Sequence, residues 1–138
     1  MNEVLGNTLK SDGERFLIIP CLSAGMGSVL QGAVAGLVFA ELTGRIPYVY
    51  WHTNCKYLKS NASKHHNAFL DYFCELSPYN LDDVFRLSGS VFPCCAGCYE
   101  LHDVIDGYHQ RLGEQARHFE DICSEEAQRA DLIIFPAY

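Results

Sequence analysis

FLIIPCLSAGMGSVLQGAVAGLVFAELTGRIPYVYW, residues 16–51, decides the fold. Phe16-Leu17-Ile18-Ile19-Pro20-Cys21 is a short continuous apolar run directly after the charged pair Glu14-Arg15. That is the pattern of a strand covered on both faces, as in a parallel sheet. The turn Leu22-Ser23-Ala24-Gly25-Met26-Gly27-Ser28 follows, and then a predicted helix over Val29 to Thr43. Ser28 is the expected N-cap, and Gly44 stands just past the end as a C-cap. The helix is dense in small residues (Gly32, Ala33, Ala35, Gly36, Ala40). Each interior glycine costs roughly 1 kcal/mol against alanine, which close approach to a strand would explain. Ile46 to Trp51 is rich in β-branched and aromatic residues and predicts a second strand, with Pro47 near its start, where proline is tolerated. Strand, helix and strand in this order make a βαβ unit, whose crossover should be right-handed.

Outward from this unit the signals weaken. Residues 1–14 read as a flexible leader and 15–138 as one α/β domain. His52 to His66 is polar and loop-like, Asn67 to Leu76 suggests a short helix, and Ser77-Pro78-Tyr79-Asn80 a turn. Val91-Phe92 suggests a short strand. Leu101 to Arg129 reads as helical, bent near Gly113, and Asp131 to Phe135 as a third buried strand. Three strands with helical crossovers give a small parallel sheet with exposed edges, a known liability. The chain also stops just after a strand, so the expectation is a half-domain, incomplete at its C-terminus, that meets a partner chain or a second copy through an open sheet edge.

Composition bounds the function. The 138 residues are 49% hydrophobic and 20% charged, as in ordinary globular domains, and carry a net charge of -7. The charge is uneven, at +2 over residues 1–70 and -9 over 71–138. Such a balance disfavours a general electrostatic grip on nucleic acid or an anionic membrane, and directs an anionic ligand to the N-terminal half. The start of the chain lacks the apolar segment of a secretory signal. The longest apolar run, Val29 to Ala40, is about a dozen residues, short of the roughly 20 a spanning helix needs, and reads as a buried helix. Seven cysteines, odd in number and irregular in spacing, point to reduced thiols in a cytoplasmic protein.

Three constellations bear on chemistry. The turn Ser23, Ala24, Gly25, Met26, Gly27, Ser28 lies where open α/β sheets bind ligands, and helix-start amides suit a phosphate. It is an incomplete dinucleotide fingerprint, because Leu30 fills the third glycine slot and no acid follows the second strand. A tight turn that merely opens the helix is the plainer alternative. His52 follows the second strand and so faces the same sheet edge, as a ligand contact or simply a polar loop residue. Cys94-Cys95-Ala96-Gly97-Cys98 holds one C-x-x-C, with Cys95 and Cys98 as its members; a structural zinc site needs a second ligand pair, and incidental thiols are the plainer reading. No cofactor is implied, and no catalytic residue can be named.

The run from Ala24-Gly25-Met26-Gly27-Ser28 through Thr43-Gly44-Arg45 to Tyr50-Trp51 resembles the opening of nodulation-type α-1,6-fucosyltransferases and their protein O-fucosyltransferase relatives. Asn67-Ala68-Phe69 resembles a short motif that follows in the nodulation-type enzymes, and Ala130 to Phe135 their next buried strand. The likeness is best over residues 16–70. It implies the Rossmann-like N-terminal half of a two-domain glycosyltransferase, contributing to a cleft for GDP-fucose or a glycan acceptor and inactive alone. Some relatives carry an asparagine after the glycine turn, where this chain has Ser28. Their diphosphate-binding H-x-R-x-G motif belongs to the C-terminal half. Its formal match here, His109-Gln110-Arg111-Leu112-Gly113, lies inside the predicted acidic helix rather than after a strand.

Overall fold

A computed structural model describes residues 13–21, 25–52, 55–63, 66–92 and 119–135. The elements are β1 (Phe16–Pro20), α1 (Met26–Thr43), β2 (Ile46–Tyr50), a 3-10 turn (Ala68–Asp71), α2 (Leu81–Leu87), β3 (Val91–Phe92), α3 (Phe119–Ile122), α4 (Glu125–Arg129) and β4 (Leu132–Ile134). The four strands form one parallel sheet in the order β2-β1-β4-β3. The protein is therefore α/β, with four strands where the sequence pattern predicts three and a short fourth. Phe16 stands beside Ile46 on one side and Leu132 on the other, so β1 is central. Its continuous apolar run follows from that place, since every residue of β1 is buried. Each fully buried side chain of this kind contributes roughly 1.5–3 kcal/mol.

Side chains alternate along a strand, so the contacts of β1 define two faces. A Cβ added at Gly36 would lie 2.6 Å from Ile19 Cδ1, so α1 rests directly on the Ile19 face. The small residues of α1 answer to this contact. Phe39 packs its ring against Phe135, just past β4 and in step with Leu17 and Ile19. On the other face Phe16 meets Tyr79 edge to face, with centroids 5.1 Å apart. The connection leaving β1 therefore covers one face, and the connection leaving β2 covers the other.

The helix begins earlier than the sequence pattern predicts. Gly25 is the N-cap and Ser28 lies in the first turn, so Ser28 is not the cap. The end is as expected. Gly44 adopts a left-handed conformation at φ 67°, the Gly44 amide bonds to Glu41 and the Arg45 amide to Ala40. Nor is α1 a fully buried helix. Val29, Ala33, Gly36, Phe39 and Ala40 face the sheet, while Val34, Val38 and Leu42 are 58%, 53% and 78% exposed. Among the described residues α1 is one helix long and apolar enough, at 18 residues and mean hydropathy 1.4, to cross a membrane by length and composition.

Elsewhere, the predicted helix of 101–129 is interrupted at Cys123-Ser124, where the Ser124 hydroxyl accepts the Ala127 amide and starts α4 afresh. Its segment 101–118 lies outside the described residues. Helix α2 opens on a reciprocal cap, the Asp83 amide donating to Asn80 Oδ1 and the Asn80 amide to Asp83 Oδ2. The outer edge of β2 is partly closed. Asn67 Nδ2 donates to the Val49 carbonyl, and the Trp51 amide donates to Asn67 Oδ1. Asn67 thus acts as a piece of neighbouring strand, and Pro47, two residues before Val49 on the same outward-facing side, offers no donor.

Candidate functional site at the C-terminal sheet edge

The strand ends of β1 and β2 lie side by side, Pro20 beside Tyr50. The two connections cover opposite faces of the sheet, the arrangement at which open α/β sheets generally bind ligands. Cys21, Gly25, the first turn of α1, His52 and Cys55 belong to the segments that leave these two strand ends.

The first turn of α1 is held by the sheet on one side only. Met26 is half-buried and packs on the core, while Gly25, Gly27 and Ser28 are exposed. The N-cap position is Gly25, which has no side chain to cap the helix start. A Cβ built at Gly25 or Gly27 meets nothing within 4 Å, so the chain's own packing demands neither glycine. That open space lies against backbone amides carrying the positive end of an 18-residue helix dipole. Ser23 and Ala24 lie outside the described residues.

His52 is oriented by two contacts. Its ring stacks on Tyr50, at 5.8 Å between centroids and 5° between planes. Its Nδ1 lies 2.8 Å from the His66 carbonyl, which can only accept, so Nδ1 carries the proton. The neutral ring then keeps Nε2 as a lone-pair acceptor, suited to a hydroxyl or to proton transfer. His66 in turn is engaged by Asp71, its Nε2 at 2.9 Å from Oδ1.

Sequence reasoning missed the pair Cys21 and Cys55. The Cys21 thiol is 1% exposed and has the half-buried Cys55 thiol as a neighbour. Burial first, and the Cys55 thiol beside it, push the Cys21 pKa far above the usual thiol range. The signal was available: Cys21 directly follows β1, His52 stands two residues past β2, and the Cys55 amide donates to the His52 carbonyl. Cys94, Cys95 and Cys98 lie outside the described residues. Among the described residues no cluster of three or more His, Cys, Asp or Glu side chains suits a metal ion.

A shallow depression lies apart from this edge, along the flank of β2, lined by Tyr48, Asn67, Leu70, Leu76 and Tyr79 among others. Burial pushes the Tyr48 phenol up there, an Asn67 hydrogen bond opposing it.

Comparison with protein-family models, curated proteins and solved structures finds no match. Sequence likeness and fold likeness thus add no assignment, and the site's own chemistry carries the functional argument.

Proposed function

We propose that this chain is a Rossmann-like half-domain of a fucosyltransferase-like glycosyltransferase, whose C-terminal sheet edge helps form a cleft for GDP-fucose or a glycan acceptor. One observation carries the reading: the glycine-opened start of α1 and the oriented His52 ring follow the ends of two neighbouring strands, at the point where their connections diverge. Helix-start amides suit a phosphate, and an imidazole Nε2 suits a sugar hydroxyl. The strand order β2-β1-β4-β3 departs from the 3-2-1 run of a dinucleotide-binding half, so the Rossmann likeness is confined to the β1–α1–β2 opening, and the departure tells against a nicotinamide cofactor. Stabilising a departing diphosphate calls for fixed positive groups. Those remain to be supplied by another domain, so the proposal is binding without turnover by this chain alone, in a cytoplasmic setting that keeps thiols reduced.

The test is titration of the folded protein with GDP-fucose, GDP and a fucosyl-acceptor glycan, followed by amide chemical shifts. Binding at about the millimolar level, with shifts confined to Gly25–Ser28 and His52, supports the reading. A folded protein that binds none of the three overturns it.

The exposed face Val34, Val38 and Leu42 favours a second reading, an α/β interaction module docking another chain. Strand addition at β2 would have to displace the Asn67 bonds, so this reading uses α1 or the β3 edge. A concentration-dependent dimer in sedimentation, with no response to nucleotide, selects it. The remaining reading, a zinc or thiol protein using Cys95 and Cys98, requires stoichiometric zinc in the purified protein.

A further inference from the structure

We infer that Cys21 and Cys55 are an oxidisable pair, which a hydroperoxide converts to a disulfide tying the segment after β1 to the segment after β2. The inference stands apart from the glycosyltransferase reading. It begins with strand register. Pro20 lies beside Tyr50, so the next residues, Cys21 and Trp51, leave the sheet together. The chain then doubles back, the Cys55 amide donating to the His52 carbonyl at 3.2 Å. That turn returns Cys55 to the core edge, where it packs against the buried cluster that holds Cys21 and its thiol acts on the Cys21 thiol as a neighbour. Two thiols held together by separate backbone elements are positioned for bond formation before any oxidant arrives.

Exposure divides the roles. Cys21 is sealed at 1% exposure and its proton is firmly held, whereas Cys55 is half-buried and reachable. The Cys55 thiolate therefore attacks the peroxide first. A sulfur–oxygen bond forms, the oxygen–oxygen bond breaks, and the leaving oxygen departs as water or alcohol with a proton from solvent. Cys55 is now a sulfenic acid. Cys21 then attacks the Cys55 sulfur and loses its proton. The sulfur–sulfur bond forms, and the sulfenic oxygen leaves as water. The two sulfurs lose two electrons in all, and the peroxide gains them. The high pKa of Cys21 makes its attack the slow step, because the thiolate is the nucleophile. The sulfenic acid should accumulate before the disulfide.

The experiment uses the full chain, reduced and then exposed to hydrogen peroxide under native conditions. Samples are quenched with a maleimide over time, and the cysteines are mapped by peptide mass spectrometry. A dimedone-trapped Cys55 sulfenic acid should appear first. A Cys21–Cys55 cross-linked peptide should follow and vanish on dithiothreitol treatment. Cys55→Ser should abolish the cross-link, and Cys21→Ser should leave the sulfenic acid without a partner and raise its trapped yield several-fold. The inference is overturned if the oxidised native protein yields both cysteines maleimide-labelled after unfolding. It is equally overturned if either pairs instead with Cys74, Cys123 or another thiol, or if the cross-link forms only in denaturant.

Discussion

The two ends of the parallel sheet are built on opposite plans. At the N-terminal end Arg45, 4% exposed, sends its two terminal nitrogens to five carbonyls: Phe16, Asp131, Ala127, Gln128 and Ala130. One guanidinium thus joins β1, the end of α4 and the approach to β4. Arg15 adds a bond to the Gln128 carbonyl, and the Asp131 carboxylate accepts the Gly89 and Ser90 amides at the start of β3. The C-terminal end has a helix start opened by Gly25, an oriented imidazole and two neighbouring thiols. The cationic clamp fixes strand order at one end. The other end leaves the first turn of α1 exposed, with Gly25, Gly27 and Ser28 at the surface. Burial, with Arg15 nearby, lowers the Arg45 pKa to about 10 while Asp131 opposes, so Arg45 stays charged at neutral pH.

If this contrast is right, the largest stability effect lies at the clamp. Arg45→Met strips a charged donor from five partly or fully buried carbonyls and should cost about 3–4 kcal/mol in denaturant unfolding. Arg45→Lys should recover only part of that, because a point ammonium cannot span the fork of acceptors. A loss below about 1 kcal/mol would remove the clamp from the argument.

Asn67→Ala comes next and sharpens the comparison, because Asn67 is a structural anchor on the C-terminal side. It leaves the buried Trp51 amide and the Val49 carbonyl without their side-chain partner, a loss of about 2 kcal/mol. The exposed β2 edge should also make the variant more prone to associate, which light scattering would detect.

A third effect is set by pH. The Cys21 pKa in the folded protein is raised above its ordinary 9.0. Above pH 9 the unfolded chain therefore releases a proton that the folded chain keeps, and stability falls as pH rises. The slope from this group approaches about 1.4 kcal/mol per pH unit. The Tyr48 and Tyr79 phenols, also raised by burial, add to the fall from about pH 10. Cys21→Ala should flatten the first part of the curve, and an unchanged curve would show that the thiol is not sealed.

The sequence carried some of this contrast and hid the rest. The β1–α1–β2 unit was legible because a fully buried strand writes a continuous apolar run, and a left-handed glycine ends a helix visibly. Ser28 misled because a serine at a helix start looks like a cap, while Gly25, with no side chain to signal it, holds the position. Helix α2 went unread although Asn80-Leu81-Asp82-Asp83 spells a cap, since about two turns of helix write little periodicity. Strand order was invisible, because local pattern does not say which strand lies beside which. His52 could be placed by its distance from a strand end. Pairing Cys21 with Cys55 required the register of β1 on β2 and the turn after His52. Local pattern gave Arg45 no structural role, because the carbonyls it bonds come together from distant parts of the chain.

The smallest expected effect is the most discriminating. His52→Ala removes a half-buried ring stacked on Tyr50 and one hydrogen bond to the His66 carbonyl. Both contacts sit at the rim of the core, so the stability loss should stay near 1 kcal/mol or less. Ligand response should change far more, with GDP-fucose or glycan shifts at Gly25–Ser28 weakened about fivefold or more if His52 supplies a hydrogen bond to the bound molecule. His52→Gln tests the chemistry within the same position, since its amide can accept a hydrogen bond while carrying no titrating proton. Recovery by glutamine assigns His52 a positioning bond, whereas loss in both variants assigns the role to the imidazole itself. A stability loss as large as that of Arg45→Met would reverse the contrast, making the C-terminal end part of the scaffold rather than the end kept open for a ligand.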